Sequence, residues 1–153
     1  LVITGHGQFA SGIHSALTLV AGDAKDVHAV DFREGDTPET LGEKLAKILK
    51  IYENDGVVIF TDIIGGAPFR QAALLASSRE NLDVVYGTTL HMLVEAVLEK
   101  DHCGDVRKLV ADLLPAARDG IGYQPLIKRV LARFIEEEQG KRHPEMTAME
   151  SAE

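Results

Sequence analysis

The stretch Leu1-Val-Ile-Thr-Gly-His-Gly-Gln8 ends a short apolar run in a histidine held between two glycines. Gly5 and Gly7 bring no side chain to shield His6 and permit backbone angles that other residues resist. The sequence therefore predicts an imidazole at a loop tip, where the working groups of an α/β fold gather. A second polar group, Asp62, closes the most apolar run of the chain, Val57–Thr61, and Ile63-Ile64-Gly65-Gly66-Ala67-Pro68 follows it. A carboxylate hydrogen-bonded to one ring nitrogen fixes the imidazole tautomer and leaves the other nitrogen's lone pair pointing outward. It also stabilises the positive charge that develops when that nitrogen is phosphorylated. The Gly65-Gly66-Ala67 segment leads into a helix opened by Pro68, and the free N–H groups and dipole of a helix start favour an anion. Nucleophilic imidazole, orienting carboxylate and anion cradle together suit phosphoryl transfer through a phosphohistidine, with no metal or cofactor required. Singly, each has a plainer account: a turn histidine, a capping aspartate, a tight turn.

Whether His6 and Asp62 meet depends on the elements that carry them. Leu1–Thr4 reads as a buried strand, and Phe9 to Val20 has helical spacing, with Phe9, Ile13, Leu17 and Val20 on one stripe. Val27–Phe32 is a second strand. Asp36-Thr37-Pro38-Glu39 opens a helix through a capping side chain, an early proline and an acid near the positive end. That helix puts Leu41, Leu45, Ile48, Leu49 and Tyr52 on one side. After the turn Asn54-Asp55-Gly56 come the third strand, Val57–Thr61, and a helix from Pro68 to about Ser78. Val84–Tyr86 is a fourth strand, Leu90–Glu99 a helix with Leu93, Val94 and Val97 inward, and Val106–Leu114 a further helix.

Short apolar strands alternating with amphipathic helices predict an α/β, doubly wound, mainly parallel sheet with helices on both faces. Right-handed crossovers favour the flavodoxin-like strand order 2-1-3-4. Strands one and three then flank the switch point, and ligand sites lie there, outside the carboxyl ends of the strands. His6 follows strand one and Asp62 follows strand three, so this order brings them into one crevice. Past Gly122 the rhythm stops. Leu126, Ile127, Val130, Leu131, Phe134 and Ile135 predict a helix over about 125–138, and 139–153 read as a disordered tail. One domain over 1–135, with its core in 1–122, accounts for the 153 residues.

Composition removes several classes. Sixteen basic against twenty-four acidic residues give a net charge of −8, which argues against nucleic acid or an anionic membrane as the main partner. No apolar run approaches the roughly 20 residues of a membrane helix, and no basic-then-apolar signal segment is present, so direct membrane insertion is not expected and the cytoplasm is the default. Cys103 is the single cysteine, which excludes an intrachain disulfide and fits a reducing compartment. The glycines around His6 lack the dinucleotide-binding spacing, and no Gly-Lys-Ser/Thr marks a nucleoside triphosphate loop. Neither HExxH nor a cysteine pair indicates zinc. Ser11 has no nucleophile elbow around it. His14, His28, His102 and His143 are read as ordinary surface residues. His91, just past strand four, is a further candidate for shaping the crevice.

Four segments in order, Val-Ile-Thr-Gly-His6-Gly, Val-Asp31-Phe-Arg-Glu-Gly, Phe-Thr-Asp62-Ile-Ile-Gly-Gly-Ala-Pro68-Phe and Met92-Leu-Val-Glu-Ala, resemble the mannose-family IIA domain of the bacterial sugar phosphotransferase system. The likeness runs from residue 1 to about 122. It implies a phosphotransferase that takes a phosphoryl group from phospho-HPr on His6 and passes it to a sugar-specific IIB component. It further implies a homodimer that exchanges a C-terminal strand. By motif position Asp62 is the orienting carboxylate, and Gly65, Gly66 and Ala67 hold the phosphoryl oxygens. The family often has serine around Ala67, so alanine removes a hydroxyl donor, which leaves backbone groups, Thr61 or Thr88 to compensate. Gly7 and His91 complete the residues expected to line the site. Thr88-Thr-Leu-His91 departs from the Asn-containing segment of the family pattern. No Ala/Pro-rich linker to a IIB domain is evident, so a free-standing IIA is expected. The alternatives are the phosphohistidine subunit of a dihydroxyacetone kinase and a phosphorylation-controlled regulatory module. A flavin-type cofactor binder ranks behind both. The choice of sugar belongs to the IIB and membrane components.

Overall fold

The computed structural model describes residues 1–22 and 25–113. Four strands alternate with helices: β1 (Val2–His6), α1 (Phe9–Ala21), β2 (His28–Phe32), α2 (Pro38–Ile51), β3 (Val57–Thr61), α3 (Ala67–Ser77), β4 (Leu82–Val85), α4 (Leu90–Glu99) and α5 (Val106–Leu113). The sheet is parallel throughout, in the order β2-β1-β3-β4. The expected helix over 125–138, the tail and any exchanged strand lie outside the described residues. No helix among those described is long and apolar enough to cross a membrane.

Both faces of the sheet are covered, and the alternation of side chains along each strand shows how. Ile3, Val58, Phe60 and Val85 point to one side, where Ala10 and Leu17 of α1, Leu93 and Ala96 of α4, and Leu109, Val110 and Leu113 of α5 close over them. Val2, Val30, Val57, Ile59 and Val84 point to the other, against Leu41, Leu45 and Leu49 of α2 and Phe69, Ala72 and Ala73 of α3. A strand buried on both faces has no use for a polar alternate position, which is why Val57–Phe60 is unbroken apolar sequence, and all five residues of β3 are buried, Thr61 with its hydroxyl bonded to Val85 O.

Several local expectations shift. Strand β1 runs two residues beyond Thr4, so His6 closes a strand, paired with Phe32 of β2, rather than sitting in a free turn. Gly5 is buried, and a Cβ on it would lie 2.4 Å from Phe9 Cδ1, so its missing side chain makes room for the Phe9 ring rather than exposing the histidine. Val20, expected on the inner stripe of α1, is 63% exposed. Strand β4 starts two residues earlier and ends one residue earlier than predicted. At the start of α2 the cap is Thr37, reciprocally bonded with Thr40. Asp36 instead accepts from the Arg33 N–H and from Lys44 Nζ.

Away from the strand ends that carry His6, Arg79 fastens α2 to the loop before β4. Its Nη1 donates to Leu49 O at 3.0 Å, its Nη2 to Tyr52 O and Asp55 O, and its Nε to Asn81 Oδ1 at 2.6 Å. Leu49 O and Tyr52 O also accept from backbone N–H groups and Asp55 O from Asn81 Nδ2, so the guanidinium adds a second, charged donor at the helix end where positive charge is favourable. Arg79→Met keeps much of the side-chain volume but removes the charge-assisted hydrogen bonds that join three carbonyls and Asn81 through one side chain. We expect a loss of about 2–4 kcal/mol in urea unfolding, with the His6–Asp62 geometry unaffected.

Candidate functional site

Parallel pairing of β1 with β3 aligns Thr4 with Thr61 and sends both strands to the same edge of the sheet. His6 and Asp62 therefore emerge side by side, although 56 residues separate them. Asp62 Oδ2 accepts from the His6 backbone N–H at 2.8 Å and lies 2.7 Å from His6 Nδ1. Its other oxygen, Oδ1, accepts from the Ile63 N–H at 2.8 Å. Burial works to raise the Asp62 pKa, but the hydrogen bonds from the His6 N–H, the His6 ring and the Ile63 N–H outweigh it and hold the carboxyl below its ordinary range. An ionised carboxylate only accepts, so the shared proton is on Nδ1 and the lone pair is on Nε2. The imidazole is 43% exposed while the carboxylate is 13% exposed, so the orienting group is sheltered and the nitrogen facing outward is reachable. Phe32 meets the ring edge-on, with centroids 5.8 Å apart.

The glycine loop after Asp62 lies against this ring. A Cβ on Gly66 would stand 2.6 Å from His6 Cε1 and 3.3 Å from Nε2, so only glycine lets the imidazole rest there. Gly65 has φ +79°, in the region that favours glycine. Gly66 is the N-cap of α3 and supplies no side chain to it, Ala67 is the first helical residue, and Pro68 follows it rather than opening the helix as expected. The start of α3, with its uncapped backbone donors and positive end, thus adjoins Nε2. Gly7 has φ +62° and donates its N–H to Phe32 O at 2.8 Å, which turns the chain from β1 into α1.

The hydroxyls expected to compensate for Ala67 do not face the site. Thr61 is fully buried and donates to Val85 O at 3.1 Å, and Thr88 donates to Thr61 O at 2.7 Å. Both hydroxyl protons go to carbonyls that tie the ends of β3 and β4 together. His91 is exposed and its Nε2 is 3.1 Å from Glu95 Oε1, one turn along α4, so its polar contact is with its own helix.

Two features escaped the sequence reading. Asp31, at the carboxyl end of β2, accepts from the Ser11 N–H and Oγ at 2.9 and 2.8 Å and from Arg33 Nη2 at 3.0 Å. It caps α1 from a neighbouring strand, because Gln8, the N-cap, offers no side-chain bond. Burial raises its pKa, and the Ser11 and Arg33 bonds more than reverse that. The predicted strand order held the signal, since an acid ending strand two must lie beside the helix that follows strand one. The other feature is Arg70 on α3, whose Nε donates to Gly65 O at 3.0 Å. Its spacing of three from Ala67 puts both on one helical face.

A depressed carboxyl pKa means that the unfolded chain binds protons more readily than the folded one at acid pH, so stability falls as pH falls. The contributions of Asp31 and Asp62 are fully present above about pH 5 and decline from the ordinary aspartate range near pH 4 downward. Thermal unfolding between pH 6 and 3 should show this acid limb, and it should be shallower in Asp62→Asn.

Residues 1–113 match the family model EIIA-man, described as PTS system fructose IIA component. The chain is 31% identical over 122 residues to the PTS system mannose-specific EIIAB component of Escherichia coli K12, covering 79% of this chain but 38% of that protein, so it spans well under half of that relative. It is 31% identical over 103 residues to the PTS system fructose-specific EIIA component of Bacillus subtilis, covering 67% of this chain and 70% of that one. The crystal structure of a phosphotransferase system component EIIA from Streptococcus agalactiae superposes with a TM-score of 0.69 at 28% identity, covering 82% of this chain and 96% of that one. With the family model matched from β1 through α5, the chain belongs to the mannose-type IIA family of the phosphotransferase system.

Proposed function

We propose that this chain is a phosphocarrier that accepts a phosphoryl group on His6 Nε2 from phospho-HPr and passes it to a sugar-specific IIB component. The 2.7 Å contact between His6 Nδ1 and Asp62 Oδ2 carries the reading, because in the neutral ring it puts the proton on Nδ1 and the lone pair on Nε2, in a half-exposed side chain beside the start of α3. In the forward step the Nε2 lone pair attacks phosphorus as the donor's N–P bond breaks, and that bond's electron pair returns to the donor ring. No proton has to leave Nε2. The ring becomes an imidazolium, still bonded through Nδ1–H to the Asp62 carboxylate, which stabilises the new charge. The phosphoryl oxygens are held by backbone N–H groups around Gly65, Gly66 and Ala67 and by the positive end of α3. Transfer onward to the acceptor is the same step reversed with a different ring.

Membership of the family supports HPr as donor and a IIB component as acceptor, and with them a cytoplasmic site of action and a homodimer. The relatives are named for mannose, fructose and sorbose, so the family leaves the sugar open. The alternatives, the phosphohistidine subunit of a dihydroxyacetone kinase and a phosphorylation-controlled regulatory module, would use the same histidine to a different end.

Intact-mass spectrometry after incubation with phosphoenolpyruvate, enzyme I and HPr tests the reading. One acid-labile phosphate is expected on the wild type and none on His6→Ala, which should remain folded because its ring is half exposed. A His6→Ala protein that still acquires phosphate would overturn the assignment. Asp62→Asn should fold and bind the donor but transfer on the order of 100-fold more slowly, since an amide neither holds the tautomer as firmly nor balances the imidazolium. Transfer at the wild-type rate would remove Asp62 from its role.

A further inference from the structure

We infer that Arg70 is a positioning residue for the phosphoryl site, clamping the Gly65 carbonyl so that the glycine loop presents its backbone donors in one fixed arrangement. The inference rests on the phosphocarrier reading and extends it to how this chain manages without a side-chain hydroxyl. Ala67 has none to give, and the Thr61 and Thr88 hydroxyls donate to Val85 O and Thr61 O. Backbone N–H groups must then hold the anion, and such donors help only if they are already aimed when charge develops.

The loop is poorly suited to hold itself. Gly65 and Gly66 are adjacent glycines, the residues with the most backbone freedom to lose. Gly65 sits at φ +79°, and the space where a Cβ would stand is open to 4 Å, so no side chain packs against that face of the residue. The Nε of Arg70 supplies a restraint at 3.0 Å on Gly65 O. In a planar trans peptide the carbonyl of one residue and the N–H of the next point in opposite directions. Holding the Gly65 carbonyl therefore also fixes the direction of the Gly66 N–H, on the residue whose Cα supports the His6 ring. Arg70 reaches the loop from the first turn of α3, where its own N–H bonds Gly66 O at 2.9 Å, so the clamp is built on the element whose N-terminus forms the cradle.

Two substitutions separate the clamp from simple positive charge. In Arg70→Gln the amide nitrogen occupies the place of the arginine Nε, three bonds beyond Cβ, and keeps a donor without the charge. In Arg70→Lys a methylene stands there, and the charge is kept one atom farther out. Transfer kinetics with phospho-HPr should show kcat lowered on the order of 10-fold in Arg70→Ala and Arg70→Lys, by loss of alignment. KM should change by less than about threefold, and Arg70→Gln should recover most of kcat. Wild-type kcat in Arg70→Ala, rescue by lysine but not glutamine, or a loss confined to KM would each overturn the clamp, the last marking Arg70 as a partner contact. The ¹⁵N order parameter of the Gly66 amide reads the clamp without any transfer: a lower value in Arg70→Ala supports it, and an unchanged value overturns it. If wild-type protein accepts no phosphate from phospho-HPr or from phosphoramidate, the phosphocarrier reading fails, and the order parameter still decides the clamp.

Discussion

One carboxylate oxygen, Asp62 Oδ2, takes two hydrogen bonds from the same residue, the backbone N–H and the ring Nδ1 of His6. The backbone bond fixes where the last residue of β1 stands relative to the end of β3. The ring bond fixes which nitrogen holds the proton and which way the imidazole faces. A single side chain thus couples the register of the sheet to the protonation state of the group we propose as nucleophile. The carboxylate can do both because the Ile63 N–H satisfies its other oxygen and because it is sheltered, while the ring it holds remains half exposed.

The surroundings follow from that contact. With the ring fixed from the Asp62 side, Gly66 must be bare for it to rest against the start of α3, and Gly65 adopts a left-handed conformation in the turn that brings the chain from Asp62 into the helix. Threonine hydroxyls at the ends of β3 and β4 bond across the two strands and hold the platform under the site, which takes them out of the chemistry. Asp31 performs a similar structural task on the other flank by capping α1 from β2. The exposed side chains of Ile63 and Ile64 border the site. The groups that hold the site in shape are mostly buried, and those positioned to react are exposed.

Stability and chemistry are therefore separable along the molecule. The two apolar layers, one under α1, α4 and α5 and one under α2 and α3, clamp β1 and β3 from both faces. They leave only the strand ends to vary. Arg79 secures the C-terminus of α2 with its charge satisfied by carbonyls. A perturbation there is expected to lower the free energy of the whole fold without touching His6.

The sequence by itself determined the alternation of apolar strands and amphipathic helices, hence a covered parallel sheet. With the crossover rule it also determined the order that makes β1 and β3 neighbours. From that order alone His6 and Asp62 meet, because chain direction fixes which end of each strand they occupy. Periodicity reports burial averaged over an element, so the features decided by single contacts stayed out of reach. Nothing in the letters showed that Gly5 makes room for Phe9, that Thr61 and Thr88 spend their hydroxyls on carbonyls, that His91 turns to Glu95, or that Arg70 reaches back to Gly65. Each depends on distances of an ångström or two between residues that only the packed tertiary structure brings together.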